Sequence, residues 1–245
     1  MPPFLLLDWS AGTPEENLAL DEALLLEREE AARRAGDGGA SEVLRFWESG
    51  TYFVAIGAAG RLAEEVDAEA CRARGFPVLR RHSGGGTVLQ GPGCLNFSLV
   101  LSTECRPSLC DVTRSYREIL QATAAGLSLP GIEFRGTSDL ALGEKKFSGN
   151  AQRRIGRSVL HHGTILHAFD LARISEVMPE PERRPEYRGG RRHEEFLTNL
   201  PLPGGEIRAR LAAAWGAREP YPQPLPPVAR LVAEKYGNRA WTERL

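Results

Sequence analysis

Cysteine is scarce and ends early. Cys71, Cys94, Cys105 and Cys110 are the four in a chain of 245 residues, so the whole second half carries no thiol for metal binding or covalent catalysis. A zinc site has poor support. The close pair Cys105 and Cys110 has no second pair after it, and His161 and His162 are adjacent rather than a helical turn apart, so no structural metal is expected. No apolar run approaches the roughly 20 residues of a membrane span, so no membrane partner is expected. The opening Phe4-Leu5-Leu6-Leu7 is short and lacks a basic leader, which makes cytoplasm the expected compartment. A surplus of one charge sign is also missing: 31 basic against 32 acidic side chains give a formal net charge of −1. That balance argues against a general nucleic-acid binder, which needs a broad positive excess to neutralise phosphates.

Local clusters of positive charge therefore have a local purpose, and two stand out. Arg80-Arg81-His82-Ser83-Gly84-Gly85-Gly86-Thr87 puts two cations before three residues that lack a Cβ, so the backbone can bend sharply and bring its N–H groups to an anion. Gly143-Glu144-Lys145-Lys146-Phe147-Ser148-Gly149-Asn150-Ala151-Gln152 adds Lys146 as a third cation, with Ser148 and Gly149 beside it. Both follow strand-like apolar runs, so one sheet can set them side by side. Their joint reading is a pocket for a phosphate or carboxylate.

The rest of the chain supplies a frame of mixed elements. Thr13-Pro14-Glu15-Glu16 carries a cap, an N-terminal proline and two acids, which predicts a helix over 14–34 with Leu18, Leu20, Ala23, Leu24 and Leu25 on its apolar side. Asn17, Asp21 and Glu22, and the Glu29, Glu30, Arg33, Arg34 group, read as its wet side, and Gly36-Asp37-Gly38-Gly39 ends it. Val43 to Trp47 and Thr51 to Ile56 read as a hairpin around Glu48-Ser49-Gly50. Strands are also expected at 77–81, 87–89, 95–101, 139–142 and 158–166, and helices at 62–74, 112–127, 169–178, 205–215 and 228–237. Prolines, arginines and glycines over 179–192 suggest a mobile loop. No internal repeat divides the chain, so 1–245 is expected to be a single domain.

Several ordered motifs share a resemblance. Asn17-Leu18-Ala19-Leu20-Asp21-Glu22-Ala23, the arginine–triglycine stretch, Gly93-x-Leu95-Asn96, Asp139-Leu140, Lys146-x-Ser148-Gly149-x-Ala151-Gln152-Arg153-Arg154, His161-His162-Gly163-Thr164 and Thr198-Asn199-Leu200 together resemble the lipoate-protein ligase A family, within the larger group of lipoyl and biotin ligases. The resemblance covers nearly the whole chain. It implies an α+β catalytic domain with one larger and one smaller mixed or antiparallel sheet flanked by helices. It also implies ATP-dependent activation of lipoate or octanoate to an acyl-adenylate, with Mg²⁺, and transfer to a lysine of a lipoyl carrier domain of 2-oxoacid dehydrogenase or glycine cleavage type. By the same resemblance Lys146 is the catalytic residue. Arg81, Gly86, Thr87, Val88, Leu89, Asp139 and Lys146 match nucleotide-binding positions, with Asp139 a candidate Mg²⁺ ligand. Arg80, Ser83, Gly84, Gly85, Lys146, Ser148, Gly149 and His161 match lipoate-binding positions. Family members often continue into a small C-terminal accessory domain. That domain is expected to be absent here and supplied, where needed, by a separate small protein.

Competing readings rest on particular residues. An octanoyl transferase of the same fold moves octanoate from acyl carrier protein through a cysteine thioester, which requires a thiolate near the lysine. Arg135-Gly136-Thr137-Ser138 has none, and Cys94, the thiol nearest a motif, reads as a small buried residue. A non-catalytic subunit that keeps the pocket would be marked by loss of Lys146 or of the glycine loop, and both are intact. Gln90, where ligases commonly carry histidine, and Ser138, where asparagine is usual, depart from the family pattern.

Overall fold

In a computed structural model, residues 4–35, 40–182 and 184–245 are described. The expected helix stop at Gly36 to Gly39 lies outside them. β1 (Phe4–Asp8) leads into α1 (Pro14–Ala35), then β2 (Glu42–Trp47) and β3 (Phe53–Ile56). α1 begins as its sequence dictates. The Thr13 hydroxyl accepts from Glu16 N at 3.2 Å while the Glu16 carboxylate accepts from Thr13 N at 3.1 Å, a reciprocal cap that satisfies two otherwise orphaned N–H groups.

After α2 (Leu62–Glu65) and α3 (Ala68–Arg74) come β4 (Val78–Arg80), the glycine loop, β5 (Val88–Gln90) and the nine-residue β6 (Cys94–Ser102). α4 (Val112–Leu127) separates these from a meander of β7 (Ile132–Arg135), β8 (Asp139–Leu142), β9 (Lys145–Ile155) and β10 (Ser158–Leu166). α5 (Ala172–Ser175), α6 (His193–Phe196), α7 (Gly204–Trp215), β11 (Glu219–Pro220), α8 (Ala229–Leu231), a π-helical turn at Val232–Tyr236 and α9 (Arg239–Thr242) complete the chain.

The larger sheet has eight strands in the order β11-β1-β2-β6-β10-β9-β8-β7, and the smaller has three in the order β4-β3-β5. Both are mixed: β1 runs parallel to β2 and to β11, and β3 parallel to β4, while the remaining neighbours are antiparallel. The α+β expectation holds. The hairpin expected across Glu48-Ser49-Gly50 does not form, because β2 and β3 belong to different sheets and the turn carries the chain from one to the other. Composition marks the turn; it does not say which strands pair.

Alternation along the central strands covers both faces of the large sheet. Leu95, Phe97, Leu99 and Leu101 of β6 join Leu44 and Phe46 of β2 against α4 and α7, through Ile119, Leu120, Leu127, Ile207 and Leu211. On the other face Val43, Val100 and Leu160 meet Leu20, Leu24 and Leu25 of α1. The side of α1 expected to be wet is wet only toward its C-terminal end, where Glu30, Arg33 and Arg34 are exposed. Asn17 and Asp21 are each 1% exposed, because Arg45 on β2 points into the helix–sheet seam and needs oxygen partners there, and Glu22 and Glu29 are buried, Glu22 accepting from Lys235 and Tyr236. Arg45 donates to Asp21 Oδ1 at 2.5 Å and to Asn17 Oδ1 at 2.7 Å, and Glu29 accepts from Arg157 N and Ser158 Oγ. Among the described residues, no helix is long and apolar enough to cross a membrane.

Candidate active site

A cavity opens where the small sheet meets the middle of the large one. The glycine loop contributes Arg81, Gly85, Gly86 and Thr87, and β5 adds Val88 and Gln90. Asn96 of β6, Ser138 and Asp139 before and at the start of β8, Lys146, Gly149, Asn150 and Ala151 of β9, and His162, Gly163 and Thr164 of β10 line the rest. Two motifs some sixty residues apart in sequence thus share one space, because β9 and the glycine loop approach the same surface of β10.

Lys146 and Asp139 form the charged centre. Lys146 Nζ lies 2.7 Å from Asp139 Oδ1, with the lysine side chain 27% exposed and the aspartate 8%. Their strands pair next to a bulge between Leu140 and Ala141, which breaks the regular register beside the lysine. Gly149 leaves room for the amine: a Cβ there would lie 3.0 Å from Nζ.

The glycine loop is built differently. Arg80 is fully buried and donates to the carbonyls of Gly57, Gly60 and Thr242 at 2.7–3.0 Å, so it fastens the Gly57–Gly60 turn to α9 and lies off the cavity. Arg81 reaches the cavity wall but donates to Ala55, Gly84 and Gly86 carbonyls and to Ser83 Oγ. Burial lowers its pKa to about 10, still far above neutrality, so it remains a cation. Within the bend Gly85 takes φ +85°, a left-handed conformation that glycine alone adopts without strain. Among the described residues none accepts from the N–H groups of Gly84, Gly85, Gly86 or Thr87, which leaves a run of four donors for an anion.

A buried relay ties α1 to this loop. Ser83 Oγ accepts from Arg81 Nε at 3.1 Å and lies 2.6 Å from His162 Nε2. The Asp21 carboxylate only accepts, so His162 Nδ1, 3.3 Å from Oδ2, is the donor there. Burial would raise Asp21, but the charges of Arg45 and His162 and the hydrogen bonds from His162 and Ser98 outweigh it and hold the carboxyl at about 2.

Of the sequence-selected residues, Lys146, Asp139, Arg81, Gly85, Gly86, Thr87, Val88 and Gly149 meet at the cavity. Arg80, Ser83, Gly84, Leu89, Ser148 and His161 do not line it. Leu89 is buried in the apolar cluster behind the small sheet, and Ser148 donates no contact to the cavity but accepts from Asn150 Nδ2. His161 sits on the opposite face. It pairs with Leu99 and packs on Tyr116 of α4, while His162 pairs with Ser98 and faces the cavity. The register carried that signal: the small polar Ser98 opposite His162 marks the α1 side, and Leu99 opposite His161 the α4 core. The Gln90–Asn96 pair was also not selected; each amide donates to the other at 2.8–2.9 Å on the cavity wall. No cysteine lines the cavity. Cys94 is fully buried behind this pair, and burial pushes its thiol far upward.

The lipoyl protein ligase A/B catalytic domain matches residues 13–203. The chain belongs to that family. Among its relatives, a protein of Aeropyrum pernix provisionally named as a lipoate-protein ligase A is 33% identical over 182 residues, 73% of this chain and 64% of that one, so the chain spans just under two thirds of that relative. The octanoyltransferase LipM of Symbiobacterium thermophilum is 28% identical over 86% of this chain and 84% of its own length. A solved bipartite lipoate protein ligase, described with its E2 lipoyl domain from Thermoplasma acidophilum, superposes with a TM-score of 0.82 at 25% identity, covering 99% of this chain and 97% of that one. The lipoyl ligase family therefore accounts for the two-sheet architecture. Its members include both ligases and acyl transferases.

Proposed function

We propose that this protein is a lipoate-protein ligase that activates lipoate or octanoate with ATP and transfers the acyl group to a lysine of a lipoyl carrier domain. One observation carries the reading: Lys146 shares one cavity with Gly85, Gly86 and Thr87, whose N–H groups are unengaged, and no cysteine lines it. An acyl carboxylate attacking the α-phosphate brings two anions together, and fixed donors and cations lower the cost of that approach. A unit charge 4 Å away is worth about 4 kcal/mol at an effective dielectric of 20. In the first step a carboxylate oxygen bonds to the α-phosphorus and pyrophosphate leaves; Lys146 supplies positive charge, and the loop N–H groups hold phosphate oxygens. In the second, the carrier lysine attacks the acyl carbon, AMP leaves and one proton is released, with no need for a protein nucleophile.

Mg²⁺ fits as a passenger on the nucleotide. Among the described residues Asp139 is the single carboxylate on the cavity wall, a hard oxygen donor of the kind Mg²⁺ takes together with phosphates, and no group of three or more His, Cys, Asp or Glu side chains forms an all-protein cage. Bound there, Mg²⁺ would neutralise phosphate charge. The lipoyl carrier as partner, of 2-oxoacid dehydrogenase or glycine cleavage type, and a separate accessory protein, are supported by the bipartite Thermoplasma ligase and its lipoyl domain. The octanoyl transferase reading draws on the LipM relatives. Against it stands Cys94, sealed away from the cavity with its thiolate disfavoured. Pyrophosphate exchange with a panel of acids separates the two: exchange with lipoate supports the ligase. Transfer from octanoyl carrier protein without ATP, lost in Cys94→Ala, would replace it with the transferase.

A further inference from the structure

Residues 187–198 are tied to the lysine hairpin at two points, Arg191 and Thr198. Arg191 donates to the Glu144 carbonyl at 2.8 Å and to the Tyr187 carbonyl at 2.6 Å, and Thr198 N donates to the Lys146 carbonyl at 2.9 Å. The Tyr187 ring packs on Phe196, 5.1 Å between centroids, and lies over Gly136, where a Cβ would come within 3.6 Å of it. This seating delivers the phenol to Asp139 Oδ2 at 2.9 Å. The other oxygen of the same carboxylate is the one 2.7 Å from Lys146 Nζ.

We propose that Tyr187 is a positioning residue for Lys146, acting through Asp139. A carboxylate held at one oxygen turns easily about its terminal torsion, whose energy wells are broad; a donor on the second oxygen removes that freedom. An ionised carboxylate only accepts, so the Tyr187 hydroxyl is the donor here. With both oxygens fixed, Asp139 presents Oδ1 at one place and the lysine amine is held at the cavity wall. The kinetic part of the test rests on the ligase reading; the spectroscopic part does not.

The chain has three lysines, Lys145, Lys146 and Lys235, so ¹³C-dimethylation of the folded protein, which keeps their charge, gives a short spectrum in which Lys146→Arg assigns the Lys146 signal. Tyr187→Phe, which keeps the ring on Phe196, is expected to move the Lys146 signal and leave that of Lys235 in place. Asp139→Ala is expected to move it too, and adding Tyr187→Phe in that background to change nothing further. In pyrophosphate exchange with ATP and lipoate, Tyr187→Phe is expected to lower kcat about tenfold, the scale of one hydrogen bond to a charged group, with both KM values little changed. An unmoved Lys146 signal, a full second shift in the Asp139→Ala background, or a rise in KM at constant kcat overturns the positioning role. A wild-type protein that shows no exchange while the Lys146 signal still moves sinks the ligase reading and leaves the role of Tyr187 standing.

Discussion

The glycine loop and the lysine hairpin look alike as sequence, each combining glycine with basic residues, yet they handle charge in opposite ways. Arg80 and Arg81 turn their guanidinium groups inward onto backbone carbonyls. Among the described residues the Lys146 amine has the single partner Asp139, and it stays partly exposed at the cavity wall. An arginine among glycines has carbonyls within reach that no side chain shields, and its planar fork can satisfy several at once; a lysine has a compact head on a flexible stem. The loop therefore offers an anion its N–H groups, and the hairpin offers a charge that is not spent on backbone carbonyls. Positive charge in a motif is not the same as positive charge available to a ligand.

The sharpest way to break this contrast is to remove the hairpin's charge. Lys146→Ala is expected to lower pyrophosphate exchange by about a thousandfold, near 4 kcal/mol, on the scale of losing one preorganised stabilising group, while leaving the melting temperature almost unchanged. Arg80→Ala should do the reverse. Carbonyls of Gly57, Gly60 and Thr242 lose their donor in a buried place, which costs about 3 kcal/mol of stability, read by urea titration, with KM for ATP in the folded protein little affected. Normal stability with lost nucleotide affinity in Arg80→Ala would mean that this cation does reach the ligand.

Much of this was legible in the sequence because local rules sufficed. The Thr13 cap, the leucine stripe of α1, the span of α4 and the strand at 158–166 follow from side-chain chemistry within a few residues, and the meeting of Lys146 with Gly85 and Gly86 follows from motif order. What stayed hidden depends on partners distant in sequence. Asp21 looks like a solvent-facing helix residue until Arg45, 24 residues on, is seen to share its seam. The Glu48-Ser49-Gly50 turn reads as a hairpin until β2 and β3 fall into separate sheets. His161 and His162 differ by one step of strand alternation, and register with β6 alone decides which faces the cavity.

His161 extends the contrast to a group that titrates. Burial, with the nearby charges of His162 and Arg154 adding to it, lowers its pKa from 6.5 to about 3. Between those values the unfolded chain binds a proton that the folded chain refuses, so the stabilisation is complete above 6.5 and is lost as pH falls through the window toward 3. Lowering pH from 7 to about 5 should cost about 2 kcal/mol from this residue. Denaturant titrations of wild type and His161→Gln should show the variant with the flatter pH dependence over that range. Equal slopes would mean that His161 is protonated in the fold and is not held in the dry α4 face.

The smallest effects lie inside the triglycine bend, where neighbouring residues should answer differently. Gly85 has φ +85°, and a Cβ there would sit 3.0 Å from Arg81 Nη2. Gly85→Ala is expected to cost about 1–2 kcal/mol from the left-handed backbone alone and to raise KM for ATP, because the displaced guanidinium no longer holds the Gly84 and Gly86 carbonyls. Gly84 takes no positive φ, lines no part of the cavity, and a Cβ on it would meet nothing within 4 Å. Gly84→Ala should therefore shift stability by no more than about 0.5 kcal/mol, as for a surface substitution away from special features. Parallel melts and ATP titrations of the two variants test whether the loop needs glycine for its bend at one position or for closeness to the nucleotide at both. A Gly84→Ala variant that binds ATP as poorly as Gly85→Ala would place the phosphate against Gly84 itself and move the anion site toward the Ser83 end of the loop.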